Sequence, residues 1–218
     1  MESKAMQKNL NGLMFEDASK VFFTSDTHFS HKNILKGVTS WGTRPFSSPK
    51  EHDDYLIERW NKTVPEDGVV FHLGDFCFAS MTRWESIRKR LNGKIYLVLG
   101  NHDMRNISTY SKRALALFED IAPQMLINVC GQMIYLNHFP FLCMDGVYSY
   151  NDTPTWQLFG HVHSGPDSKS LDMARLIHLF PSQYDVGVDN NDYAPVSFTK
   201  AKNIIAAQRL QRLLYKDR

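Results

Sequence analysis

The chain has 218 residues, 43% of them hydrophobic and 12% aromatic, which fits one sizeable core spanning residues 1–218; no Pro/Gly/Ser-rich linker divides it into two smaller domains. A formal charge of +2 and a pI near 8.4 give a field too weak for a general nucleic-acid or membrane surface, so any anion recognition is local. Cys77, Cys130 and Cys143 are too few and too scattered for a disulfide framework or a CxxC metal site.

The first twenty residues, "MESKAMQKNLNGLMFEDASK", contain no continuous apolar leader, and no apolar run approaches the roughly 20 residues that span a bilayer. A soluble, cytoplasmic protein is expected. The first strand signal is "VFFTSDTH" (21–28), followed by a helical stretch, "EHDDYLIERWNKTV" (51–64), that repeats Leu56, Ile57 and Trp60. A second strand, "VVFHLGD" (69–75), precedes the helical "MTRWESIRKRLNG" (81–93), where Trp84, Ile87 and Leu91 recur and Gly93 marks a stop. Three more strands are expected at "IYLVLGNHD" (95–103), "MIYLNHFP" (133–140) and "WQLFGHVH" (156–163). Late runs "YDVGVD" and "PVSF" read as two further strands. A terminal amphipathic helix (200–216) carries Ile204, Leu210 and Leu214. The alternation predicts an α/β layered domain.

Each of the five main runs is short, rich in β-branched or aromatic residues, and passes abruptly into Asp, Asn or His. In open α/β sheets ligands bind beyond the carboxyl ends of the strands, and here that edge receives all five polar clusters. Asp26 and His28 are one residue apart, so a near-extended backbone would aim both side chains the same way. Asp75 follows Gly74 and could bridge two cations. Asn101 could supply a neutral oxygen, and His138, His161 and His163 could supply imidazoles. Seven oxygen and nitrogen ligands suit two ions of Mn, Fe, Zn, Ni or Co better than calcium or copper(I), with manganese the foremost expectation.

Taken in order, "DTH", "GD", "GNHD", "NH" and "GHVH" resemble the calcineurin-like metallophosphoesterase superfamily, and "YDVGVDNNDYAPVSF" (184–198) resembles the C-terminal strands of its small prokaryotic and phage members. The resemblance implies a four-layer αββα sandwich in which two central mixed β-sheets are flanked by helices. It also implies that Asp26, His28, Asp75 and His163 hold one metal, while Asp75, Asn101, His138 and His161 hold the other. By the same resemblance His102 is a catalytic histidine that contacts phosphate or protonates the leaving oxygen, and Asp103 orients it and supports its charge. The implied reaction is hydrolysis of small phosphodiesters or phosphomonoesters by a metal-bridging hydroxide, phosphodiesters being favoured.

Around this set, His31, Lys32 and Asn33 read either as the solvent-facing start of a helix or as a substrate rim. Arg105 and Arg44 are candidates to fork onto a phosphate oxygen. His72, inside an apolar run, reads as a hydrogen-bonded structural residue, His52 and His178 as surface or packing positions, and Cys77 as core. Phe141, Tyr148, Tyr150 and Trp156 could stack on a nucleobase, which would favour a nucleotide substrate, or simply pack their connection. Neither a basic stripe nor a recognition helix favours duplex nucleic acid. Two other functions remain open: a single-strand nuclease, and a binding scaffold that has lost turnover.

Overall fold

The computed structural model describes residues 12–147 and 153–216; Tyr148 and Tyr150 lie outside that range, as does most of the N-terminal stretch. In chain order the strands are β1 (Leu13–Phe15), β2 (Val21–Thr24), β3 (Val69–His72), β4 (Lys94–Val98), β5 (Asp120–Ala122), β6 (Gln124–Val129), β7 (Gln132–Asn137), β8 (Trp156–Phe159), β9 (Gln183–Asp185) and β10 (Val196–Ser197). The α-helices are α1 (Pro49–Thr63), α2 (Met81–Arg88), α3 (Met104–Leu115) and α4 (Phe198–Lys216).

Two five-stranded mixed sheets result. The first is ordered β10-β2-β3-β4-β5, with only the β10–β2 pair antiparallel. The second is ordered β1-β6-β7-β8-β9, with only β6–β7 antiparallel. Phe23, Phe71 and Leu73 of the first sheet's side pack against Ile127, Ile134, Leu136 and Leu158 of the second, forming the core between the sheets. The opposite face of the first sheet carries Phe22, Val70, Ile95 and Leu97 against Leu56, Ile57 and Trp60 of α1 and Met81, Trp84 and Ile87 of α2. Both faces of β2, β3 and β4 are therefore covered, and their sequences read as unbroken apolar runs instead of alternating ones.

Helix α1 begins two residues before the expected position, because Ser48 accepts the Glu51 N–H at 3.2 Å and Pro49 occupies the first turn. Helix α2 stops at Arg88, short of the expected Gly93. The Arg88 guanidinium donates to the carbonyls of Leu91, Gly93 and Leu117 and holds a turn where the helix could have continued. Along α4 the packed face is Phe198, Ala201 and Ile205, with Ile204 beside it; Leu210 and Leu214 of the expected apolar stripe are exposed. The helix lies along β9, where the Gln208 amide donates to the carbonyls of Pro181 and Gln183.

Sequence pattern missed α3, β1, β5 and β6. Within α3, Ile107 and Ala114 pack against the core seven residues apart, a one-sided pattern that the sequence reading passed over. Strands β1 and β5 have three residues each. The β6–β7 hairpin turns on Cys130 and Gly131, a pair outside the usual Asn-Gly and Asp-Gly signals.

Arg44 departs from the expected role. It is wholly buried, and its Nη2 and Nη1 donate to the carbonyls of Asp26 and Thr27, while Nη2 and Nε fork onto the Asp189 carboxylate at 2.8 and 2.9 Å. Nη1 also faces His52 Nε2 at 2.9 Å; since arginine only donates, His52 accepts there and turns its Nδ1–H toward Asp53. The guanidinium is committed to the loop behind β2 and is not available to a substrate. Arg44→Ala should lower unfolding free energy by ~3–5 kcal/mol, because it leaves Asp189 and two carbonyls without a buried donor. Urea denaturation of the metal-free protein measures this, and an unchanged midpoint would contradict the buried-strut role.

Candidate metal centre

The carboxyl ends of β2, β3 and β4 in one sheet and of β7 and β8 in the other meet along a single edge. Backbone bonds tie the loops there: Asp26 N–H donates to the Gly74 carbonyl and Gly160 N–H to the His138 carbonyl within each sheet, and Val188 N–H donates to the Ser25 carbonyl between them. The seven expected ligands all project from this edge. Five of them, Asp26, His28, Asp75, His161 and His163, have φ between 49° and 67°. Only nine non-glycine residues among those described adopt positive φ, so this strained geometry is concentrated where the polar side chains turn inward.

Glycines in two of the motifs have a steric reason. A Cβ on Gly100 would collide with the Asp75 carboxylate, and one on Gly160 would collide with Ser25 and Asp26. The bare backbone in "GNHD" and "GHVH" is what lets the chain pass against the two central carboxylates.

His28 Nε2 lies 3.8 Å from Asp26 Oδ1 and 3.6 Å from Asp75 Oδ2. His163 Nε2 is 3.6 Å from Asp26 Oδ1, and His138 Nε2 is 3.7 Å from Asp75 Oδ2. Two groups, Asp26–His28–His163 and Asp26–Asp75–His138, each bring one ligand atom per residue within 4.8 Å of the others. These separations exceed a hydrogen bond yet leave room for a shared cation. Asp26 Oδ1 and His28 Nε2 are buried with no hydrogen-bond partner, an arrangement that costs free energy unless something charged or polar sits between them. A divalent ion fits the donor set.

Contacts behind the ligands aim them. His163 Nδ1 is 2.6 Å from Asp189 Oδ2, and His138 Nδ1 is 2.7 Å from the Leu73 carbonyl, so both rings turn Nε2 toward the cluster. His138 Nε2 also lies 3.0 Å from Asn101 Oδ1. A neutral imidazole cannot donate from both nitrogens, and a cation at Nε2 and Oδ1 would resolve that conflict. His161 sits beside His138, ring centroids 5.2 Å apart, but outside the two close groups; its Nε2 is 3.7 Å from Asp172 Oδ2.

The electrostatics follow from crowding in a dry place. Burial opposes the Asp26 charge, but His163 and His28 outweigh it and hold the carboxyl well below its usual range. Burial pushes Asp75 up to about 6, with Asp26 adding to the rise. Burial alone would lower His163, yet Asp26 and Asp189 raise it to about 9. For His28 desolvation wins, and its pKa falls well below the ordinary value.

Asp103 takes a place different from the one expected. Its carboxylate accepts the backbone N–H groups of Asp75, Phe76 and Gly100 at 2.8, 3.0 and 2.9 Å, clamping the two loops that carry Asp75 and Asn101. With both oxygens engaged by amides, it acts on His102 only through its charge, which opposes the lowering that burial imposes on that ring. His102 is half exposed, with Nε2 3.9 Å from Asp75 Oδ2 and its N–H donating to Asp75 Oδ1.

His31 stacks on Phe78 with centroids 3.7 Å apart, and its Nδ1 is 3.0 Å from His28 Nδ1. It braces a ligand from the edge of the site. Asn33 is exposed on the short 3-10 turn Lys32–Ile34, whereas Arg105 lines a cleft of about 660 Å³ together with Phe78, Asn101 and His102. His72 bonds Thr27 Oγ1 at 2.9 Å, and Cys77 is buried, with desolvation raising its thiol pKa. Asp189 escaped the sequence reading of ligand partners. The signal was present, since "YDVGVD" also ends an apolar run in aspartate.

A sequence model of the calcineurin-like phosphoesterase family matches residues 19–175, which takes in every position from Asp26 to His163. An uncharacterized protein of Methanocaldococcus jannaschii is 28% identical over 197 residues, 89% of this chain and 96% of that protein. The gene 66 protein of Mycobacterium phage L5 is 28% identical over 199 residues, 78% of this chain and 87% of its own length. The crystal structure of a protein of unknown function from Aquifex aeolicus matches with a TM-score of 0.58 at 25% identity, over 84% of this chain and 98% of the other. With the motifs, the paired sheets and the extent of the family match together, this chain belongs to the calcineurin-like phosphoesterase family.

Proposed function

We propose that the protein is a dinuclear metal-dependent hydrolase of small phosphoric esters. The observation that carries this reading is the pair of buried, unpartnered ligand atoms, Asp26 Oδ1 and His28 Nε2, facing Asp75 and His163. Asp26, His28, Asp75 and His163 would hold one ion, and Asp75, Asn101, His138 and His161 the second, with manganese the first metal to test. When bound, two such ions supply Lewis acidity: they acidify water, hold phosphoryl oxygens and offset the charge that builds during displacement.

The chain's own groups do the rest. Asp189 and the Leu73 carbonyl fix the tautomers of His163 and His138, so that their Nε2 atoms are free to coordinate. Asp103 holds the Asp75 and Asn101 loops together through backbone amides. His102 is exposed enough to meet a substrate and close enough to Asp75 to stand over the cluster. In this role it gives its proton to the departing oxygen.

Hydrolysis of bis-p-nitrophenyl phosphate and p-nitrophenyl phosphate by metal-stripped, manganese-reloaded protein tests the proposal. Turnover should require the metal and vanish in Asp75→Asn. His102→Ala should retain metal while losing ~100- to 10,000-fold in kcat, the usual worth of a general acid. Parent-like turnover in His102→Ala would remove that assignment, and cleavage of single-stranded oligonucleotides in preference to both esters would favour the nuclease reading.

A further inference from the structure

The ligand cluster has unlike neighbours on its two sides. On the first sheet's side, the β3–α2 and β4–α3 loops build the cleft lined by Phe78, Asn101, His102, Arg105, Asn106 and Thr109, in which polar and apolar surface are about equal. On the second sheet's side, the segments after β7 and β8 and the 3-10 helix Leu171–His178 border another cleft, of about 550 Å³. Phe139, Phe141, Leu142, Val162 and Leu179 give it an apolar lining, and His161 is also part of its wall. The ligand cluster lies along the seam between the sheets and separates the two.

Phe139 joins the apolar cleft to the centre directly. Its ring lies 4.6 Å from that of His161 and 4.9 Å from that of His138. Yet Phe139 is 44% exposed and Leu142 72%, so large apolar side chains are left in water beside two expected ligands. Neither is needed for the cores described above. Covering such surface releases free energy in proportion to its area, and a planar group placed against Phe139 would also gain ring contacts.

We propose that this cleft is a subsite for an aromatic ester group, and that the preferred substrate is a phosphodiester carrying that group on its non-leaving side. The inference rests on the phosphoesterase reading and deepens it. A phosphomonoester has only one arm and can fill only one cleft, whereas a diester held at the cluster extends into both. Because His102 lines the mixed cleft on the first sheet's side, the departing oxygen belongs there. Water adds across that P–O bond: phosphorus gains a hydroxyl, the leaving oxygen takes the His102 proton, and the second proton of water restores the histidine. The aromatic group stays on phosphorus as a monoester.

Calorimetric binding of diphenyl phosphate and dimethyl phosphate to the manganese-loaded protein tests the subsite without requiring turnover. Diphenyl phosphate should bind at least ~10-fold more tightly, the effect of burying part of one ring. Phe139→Ala and Leu142→Ser should each close most of that gap; Leu142 is exposed enough that its replacement leaves folding intact. Equal affinities in the parent protein, or a gap that survives both substitutions, would overturn the proposal. Failure of the phosphoesterase reading looks different: no ester turns over, although diphenyl phosphate still binds through Leu142.

Discussion

Two carboxylates and three imidazoles share a nearly dry space at the seam of the two sheets, and the surrounding structure is arranged around the cost of keeping them there. Burial raises Asp75, drives down His28, and is overcome at Asp26 and His163 only by their opposite charges. Isolated buried charges are expensive by several kcal/mol each, and these groups do not quench one another through hydrogen bonds. A divalent cation answers both problems, since it compensates the carboxylates and uses the imidazole lone pairs. The buried strut Arg44–Asp189 and the Asp103 clamp then serve one end, fixing the loops so that the ligands cannot relax away from each other.

The backbone bears part of that cost. Left-handed conformations at non-glycine residues typically cost ~1–3 kcal/mol each, and five of the seven expected ligands adopt them. Each follows a strand whose two faces are already committed to packing, so the turn that directs a side chain to the edge has to be made abruptly. Gly100 and Gly160 contribute by having no side chain at the closest approaches. Strong cores on both sides of the first sheet supply the rigidity that such strain requires.

Much of this was legible in the residues. Asp26, His28, Asp75, Asn101, His138, His161 and His163 stand behind apolar runs, and strands buried on both faces produce such runs; the common edge follows from their parallel order. Helix α3 offered a short one-sided signal, Ile107 and Ala114, that the sequence reading passed over, whereas β1 and β5 were hidden because three residues carry no pattern. The misplaced roles share a different cause. Arg44 and Asp103 are residues whose chemistry suits a substrate or a catalytic histidine, but residue type does not reveal which partner claims them. Three backbone amides claim Asp103, and Asp189 with two carbonyls claims Arg44.

The most direct test of the account is where cations go. Anomalous diffraction at the manganese edge, from crystals grown with manganese, should show two strong peaks per chain, one among Asp26, His28, Asp75 and His163 and one among Asp75, Asn101, His138 and His161. An empty seam, or ions found only on surface carboxylates, would contradict the claim that these buried groups exist to hold a dinuclear centre.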